Sequence, residues 1–110
     1  EDEGLVERSA ELGAYVLARL REFANKAPAI GNVRGRGLMF GVDLVTDRET
    51  KEPARELAEA VFYRCLDEGL SFKISAGSVL TLSPPLTIAR GDLDRALGIV
   101  EEAILAASGG

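Results

Sequence analysis

A chain of 110 residues with a net charge of −5, one cysteine and no histidine is sized for one domain, residues 1–110, with a modest core. The acidic balance disfavours nucleic acid and anionic membrane as partners, because both attract clustered positive charge. The lone cysteine excludes an internal disulfide, no ligand set for zinc or another metal is present, and the missing histidine removes the usual general base and the Ser-His or Cys-His nucleophile pairs.

Residues from about Gly4 to Asn25 read as a helix, with Leu5, Leu12, Val16, Leu20 and Phe23 recurring near a 3.6 period. Glu1, Asp2 and Glu3 suit the positive end of its dipole. Pro28 stops continuation. Ile30 to Val33 is a short strand, Arg34-Gly35-Arg36-Gly37 a turn, and Leu38 to Val45 a strand. In that strand Leu38, Phe40, Val42 and Leu44 share one face, and Met39, Gly41, Asp43 and Val45 the other. Gly41 inside a strand points to a bulge or a close approach by another backbone.

Thr46 to Glu52 is polar and turn-rich, and Pro53 sits where a second helix begins. This helix runs to about Glu68, with Leu57, Val61, Phe62, Cys65 and Leu66 as its buried stripe and Gly69 as its cap. Leu70 to Ser75 alternates, with Leu70, Phe72 and Ile74 inward. Ala76-Gly77-Ser78 is short enough for a hairpin into Val79–Leu82. Pro84-Pro85 ends that strand, since proline fixes φ and has no N–H to donate. The last helix spans about Arg90 to Ala107, with Leu93, Leu97, Val100 and Ile104 on one face, and Ser108-Gly109-Gly110 is expected to fray.

The order α-β-β-α-β-β-α predicts a two-layer α+β domain, a mainly antiparallel sheet with helices on one face. The bare face would carry Met39, Asp43, Val45, Ser71, Lys73, Val79, Thr81 and Ser83. That set is too mixed for a core and too apolar for a wetted surface, so it is expected to contact something else. No apolar run reaches membrane-spanning length and the acidic start is not a signal peptide, so a cytoplasmic location is expected.

The local motifs are weak by themselves. Gly35-x-Gly37 opens like a dinucleotide loop, but the next glycine comes one position late and a strand follows where a helix N-terminus is needed. The same letters echo an RNA-binding strand, yet Arg36 and Leu38 stand where bases would need aromatics. Arg34 and Arg36 are expected to bond carbonyls or carboxylates at a domain boundary. Lys73 could serve as a Schiff-base nucleophile only if burial lowered its pKa; the plainer reading is a solvated strand lysine. Cys65 reads as a small core residue.

VRGRGLMFGVDLV, then TKEPA, a helix, a short strand and VLTLSPPLTI with its closing ARGDLDRALGIVEEAI helix, together resemble the C-terminal segment of class III aminotransferases. These are pyridoxal-phosphate enzymes of fold type I. The resemblance implies a small domain cut from an enzyme about four times longer, which transfers an amino group between an amine or amino acid and a 2-oxo acid. It implies a homodimeric parent whose missing large domain holds the pyridoxal phosphate and the Schiff-base lysine. Lys26, Lys51 and Lys73 do not stand in the family's lysine context. The chain alone should therefore neither hold the cofactor nor transaminate, and no catalytic residue is assigned in it. Many members carry Leu-Arg-x-x-Pro-Pro, with the arginine forking a substrate carboxylate, where this chain has Thr81, so the resemblance implies a substrate that lacks an α-carboxylate at that point or has it held by another residue. Thr81, Ser83 and Lys73 are the substrate-side candidates. The alternatives are a free-standing α+β ligand-binding or regulatory module, and a lyase on the same scaffold.

Overall fold

The computed structural model describes residues 3–47, 49–85 and 87–108, without the side chains of residues 3, 5 and 6. The expectations for Glu1, Asp2, Glu3, Leu5, Gly109 and Gly110 lie outside the described residues and side chains. The elements run α1 (Glu3–Ala24), β1 (Ile30–Arg36), β2 (Met39–Asp47), β3 (Glu52–Pro53), α2 (Arg55–Asp67), β4 (Lys73–Ser75), β5 (Val79–Leu82) and α3 (Arg90–Ala107). The strands form one antiparallel sheet in the order β1-β2-β5-β4, with β3 paired to β2. This is the expected α+β arrangement, with one short extra strand.

Helical period decides which residues enter the core. Leu12, Val16, Leu20 and Phe23 of α1, Ala58, Val61 and Cys65 of α2, and Leu93, Leu97, Val100 and Ile104 of α3 are buried in one cluster. They meet Val33, Phe40, Val42, Leu44, Leu80 and Leu82 from one face of the sheet. Each fully buried aliphatic or phenyl side chain contributes roughly 1.5–3 kcal/mol of transfer free energy. All three helices therefore lie on that face.

Several local expectations are corrected. Arg34, Gly35 and Arg36 belong to β1, and the turn falls one step later, at Gly37 with φ +62°. The β1–β2 ladder needs those residues as partners for Gly41, Phe40 and Met39. Gly41 sits in regular pairing with Arg34 and Thr81; the register irregularity is between Ile30 and Asn32. Pro53 closes β3, and α2 begins at Arg55. Only Lys73–Ser75 of the Leu70–Ser75 stretch forms a strand. Leu66 is 42 % exposed, because the α2 stripe turns through Ala58, Val61 and Cys65. Val45 is buried, not bare. Its methyls sit where a Cβ on Gly31 would have to be, and its backbone pairs with Pro53 of β3.

Helices α1 and α3 are also joined by polar bonds. The Arg19 guanidinium forks Glu101 at 2.9 and 3.0 Å and reaches Asp94 at 3.3 Å. Tyr15 donates to Asp94, and Arg90 lies 3.6 Å over the Tyr15 ring, a cation–π contact. Hydrogen bonding to Glu101 raises the Arg19 pKa further above its already high ordinary value, so its charge is fixed.

Candidate functional site: the bare face of the sheet

Antiparallel register puts directly opposed residues on one face. The row Lys73, Thr81, Gly41 and Arg34 therefore crosses all four long strands on the side away from the helices. A second row runs Ser75, Val79, Asp43 and Asn32, and Arg36 faces Met39 beyond Gly41. Met39 is 60 % exposed on this face.

The polar atoms here are organised. Thr81 is half-buried, and its hydroxyl lies 2.9 Å from that of Ser75. Arg34 bends over Gly41, its Nη2 coming within 3.5 Å of where a Cβ at Gly41 would be. It then donates from Nη1 to Asp43 Oδ2 at 2.6 Å. That hydrogen bond, with the adjoining negative charge, raises the Arg34 pKa. The other carboxylate oxygen, Asp43 Oδ1, is buried without a hydrogen-bond partner among the described residues. A hollow of about 470 Å³ lies over this region, lined among others by Arg34, Arg36, Met39, Gly41, Ser75 and Thr81.

The three sequence candidates separate. Thr81 and Lys73 stand opposite each other on the bare face, Thr81 half-buried and Lys73 exposed. Ser83 lies past the end of β5 and lines a different, apolar hollow of about 190 Å³ beside Pro84, Pro85, Ile88 and Leu93. The sequence reading expected a carboxylate or carbonyl partner for Arg34 without naming it, and it did not single out Ser75. Only the register, which sets Arg34 across Gly41 from Thr81, brings these residues together.

A cofactor-bearing lysine needs burial or a cationic neighbour to lower its pKa. Lys26, Lys51 and Lys73 are all exposed. Lys51 lies in the loop before β3, at φ +59°. The lysines present do not fit a covalent pyridoxal-phosphate site. Among the described residues no His, Cys, Asp or Glu group is placed to hold a metal ion, and no helix is long and apolar enough to cross a membrane.

Residues 1–104 match the family model for aminotransferase class-III. The chain is 50 % identical over 104 residues to an (R)-1-hydroxy-2-aminoethylphosphonate ammonia-lyase of Vibrio splendidus, covering 94 % of this chain and 22 % of that protein. It is 45 % identical to a leucine/methionine racemase of Thermococcus litoralis, covering 94 % and 24 %. The crystal structure of a Bacillus anthracis aminotransferase superposes with a TM-score of 0.84 at 36 % identity, covering 93 % of this chain and 24 % of that one. The chain thus spans about a quarter of the length of the proteins it matches. With the family model matched over nearly its whole length, this chain belongs to the class III aminotransferases, a family of pyridoxal-phosphate enzymes.

Proposed function

We propose that these 110 residues are the C-terminal small domain of a longer pyridoxal-phosphate enzyme, and that the bare sheet face forms one wall of its substrate entrance. The observation that carries this reading is the position of Thr81. It stands mid-sheet on the face without helices, its hydroxyl bonded to Ser75 and its row-mates Gly41 and Lys73 beside it. The cofactor supplies the electron sink for chemistry at the amine carbon and is held by the large domain. The residues of this chain orient substrate and, on closure of the small domain against the large one, exclude water.

The reaction proposed is transfer of an amino group between an amine or amino acid and a 2-oxo acid. A threonine at position 81 offers one neutral hydrogen bond and cannot balance a buried carboxylate. The preferred donor therefore carries no α-carboxylate at this point, or has it held by another residue. In the full enzyme, Thr81→Arg adds a forked, charge-assisted bond worth roughly 1.5–3 kcal/mol. The ratio of kcat/KM for an α-amino acid over a simple amine should rise about tenfold to a hundredfold. An unchanged ratio rules out the wall.

A second reading, elimination of ammonia, is supported by the 50 % identity to a phosphonate-substrate ammonia-lyase. Release of free ammonia without a 2-oxo acid acceptor would select it over transfer.

A further inference from the structure

We propose that Arg34, held across Gly41 by Asp43, is the anchor of an oxyanion subsite on the bare face, and that the Ser75–Thr81 hydroxyl pair completes it. The inference rests on the reading of this face as a substrate wall and specifies the group the wall takes: a phosphonate, sulfonate or carboxylate at the end of the substrate remote from the amine.

Charge distribution points to an anion. The chain carries a net charge of −5, yet the hollow is lined by two arginines and no carboxylate. Lys73 stands on the same face, one strand beyond Thr81. Asp43 is set back, with one oxygen on Arg34 and the other buried.

Donor geometry points the same way. A guanidinium has five N–H groups in a planar fork, and among the described residues Arg34 directs one of them to Asp43. The contact is a single hydrogen bond, because Oδ1 takes no part. Asp43 therefore orients the guanidinium and leaves most of its donors for another acceptor. The hydroxyls of Ser75 and Thr81, 2.9 Å apart, must share one proton between them, so the accepting hydroxyl keeps its own proton for a ligand. Gly41 lies between Arg34 and Thr81 in the row. Its missing side chain lets the Arg34 guanidinium lie across the strand toward Thr81, while Met39 and Val79, which line the same hollow, offer apolar contact to the carbon chain. Arg34 is a binding residue in this scheme and Asp43 a positioning residue.

The test titrates methylphosphonate, methanesulfonate and acetate separately into the isotope-labelled 110-residue chain, against sodium chloride at equal ionic strength. The amides of Gly41, Ser75 and Thr81 are followed by NMR. Saturable shifts above the chloride control are expected for at least one probe, and the strongest arm identifies the oxyanion. Arg34→Gln should weaken that binding by about tenfold or more, and Arg64→Gln, on the outer surface of α2, should not change it. Arg34→Lys is read alongside; it preserves the charge facing Asp43 but not the fork, and should also weaken binding. Absence of saturable shifts for all three probes overturns the proposal, as does binding indifferent to both Arg34 variants. Failure of the wall is separately visible: the probe would still titrate Gly41 and Thr81 in the chain, while Thr81→Arg left the enzyme's substrate ratio unchanged.

Discussion

Cys65 has no exposed surface on the inner stripe of α2, and desolvation lifts its thiol from 9.0 to about 11. The raised value disfavours thiolate in the folded chain. Below pH 9 the thiol is protonated in both states and stability is unaffected by it. Between pH 9 and about 11 the unfolded chain loses the proton that the folded chain keeps, so stability falls as pH rises, by up to about 1.4 kcal/mol per unit. Urea unfolding of the native chain and of Cys65→Val should give a constant difference up to pH 9, with the native chain losing ground above it. A difference that stays flat to pH 11 would mean that water reaches the thiol. At this scale the sequence was informative about Cys65, because helical period alone puts it inward. For Arg34 it indicated only the kind of partner, a carbonyl or carboxylate; that the partner is Asp43 depends on which residues a second strand sets beside it.

Among the elements, α3 shows how far local chemistry reaches. Its span and its buried face agree with the sequence pattern at both ends. Its first residue is preceded by Ala89, which has extended geometry at φ −72° and ψ 147°, the backbone of an N-cap without the side-chain oxygen. The Leu93 N–H already bonds the Ala89 carbonyl at 2.9 Å. Ala89→Ser should add a hydroxyl acceptor for the Asp92 N–H and raise stability by roughly 0.5–2 kcal/mol. A melting temperature that stays level or drops would show that the first turn is already satisfied. The strands were less legible. Arg34-Gly35-Arg36 carries turn-forming letters, yet a neighbouring strand supplies ladder partners and the residues extend. The two-residue β3 exists only because β2 is there to pair with it, and nothing in a segment as polar as Thr46–Glu52 announces that.

Taken as a whole, the molecule closes its helical layer through side chains far apart in sequence. Arg19 and Glu101 are 82 positions apart, and their contact is partly shielded, with side-chain exposures of 28 % and 19 %. Arg19→Ala leaves Glu101 and Asp94 without that partner. It should cost about 1–3 kcal/mol, read as a lower urea midpoint with an unchanged m-value. A midpoint within error of the native chain would assign the clasp to solvent-screened surface pairing.

What the sequence by itself determined is the content of the layers. Periods of 3.6 and 2 are local properties of the chain, so they placed three helices, the buried face of β2 and β5, and a sheet side left without helices. Motif likeness added the family, since Val33–Val45 and Val79–Ile88 follow its pattern in order. The tertiary structure decided which residues on the bare side meet. Pairing of β2 with the distant β5, together with the β1–β2 and β4–β5 hairpins, set Arg34, Gly41, Thr81 and Lys73 in one row. Ser83, past the end of β5, lines another hollow, and Val45 is buried against Gly31 and β3. The row depends on pairing partners as far as 40 positions apart, as between Gly41 and Thr81. No window of sequence short enough to have a period contains that information.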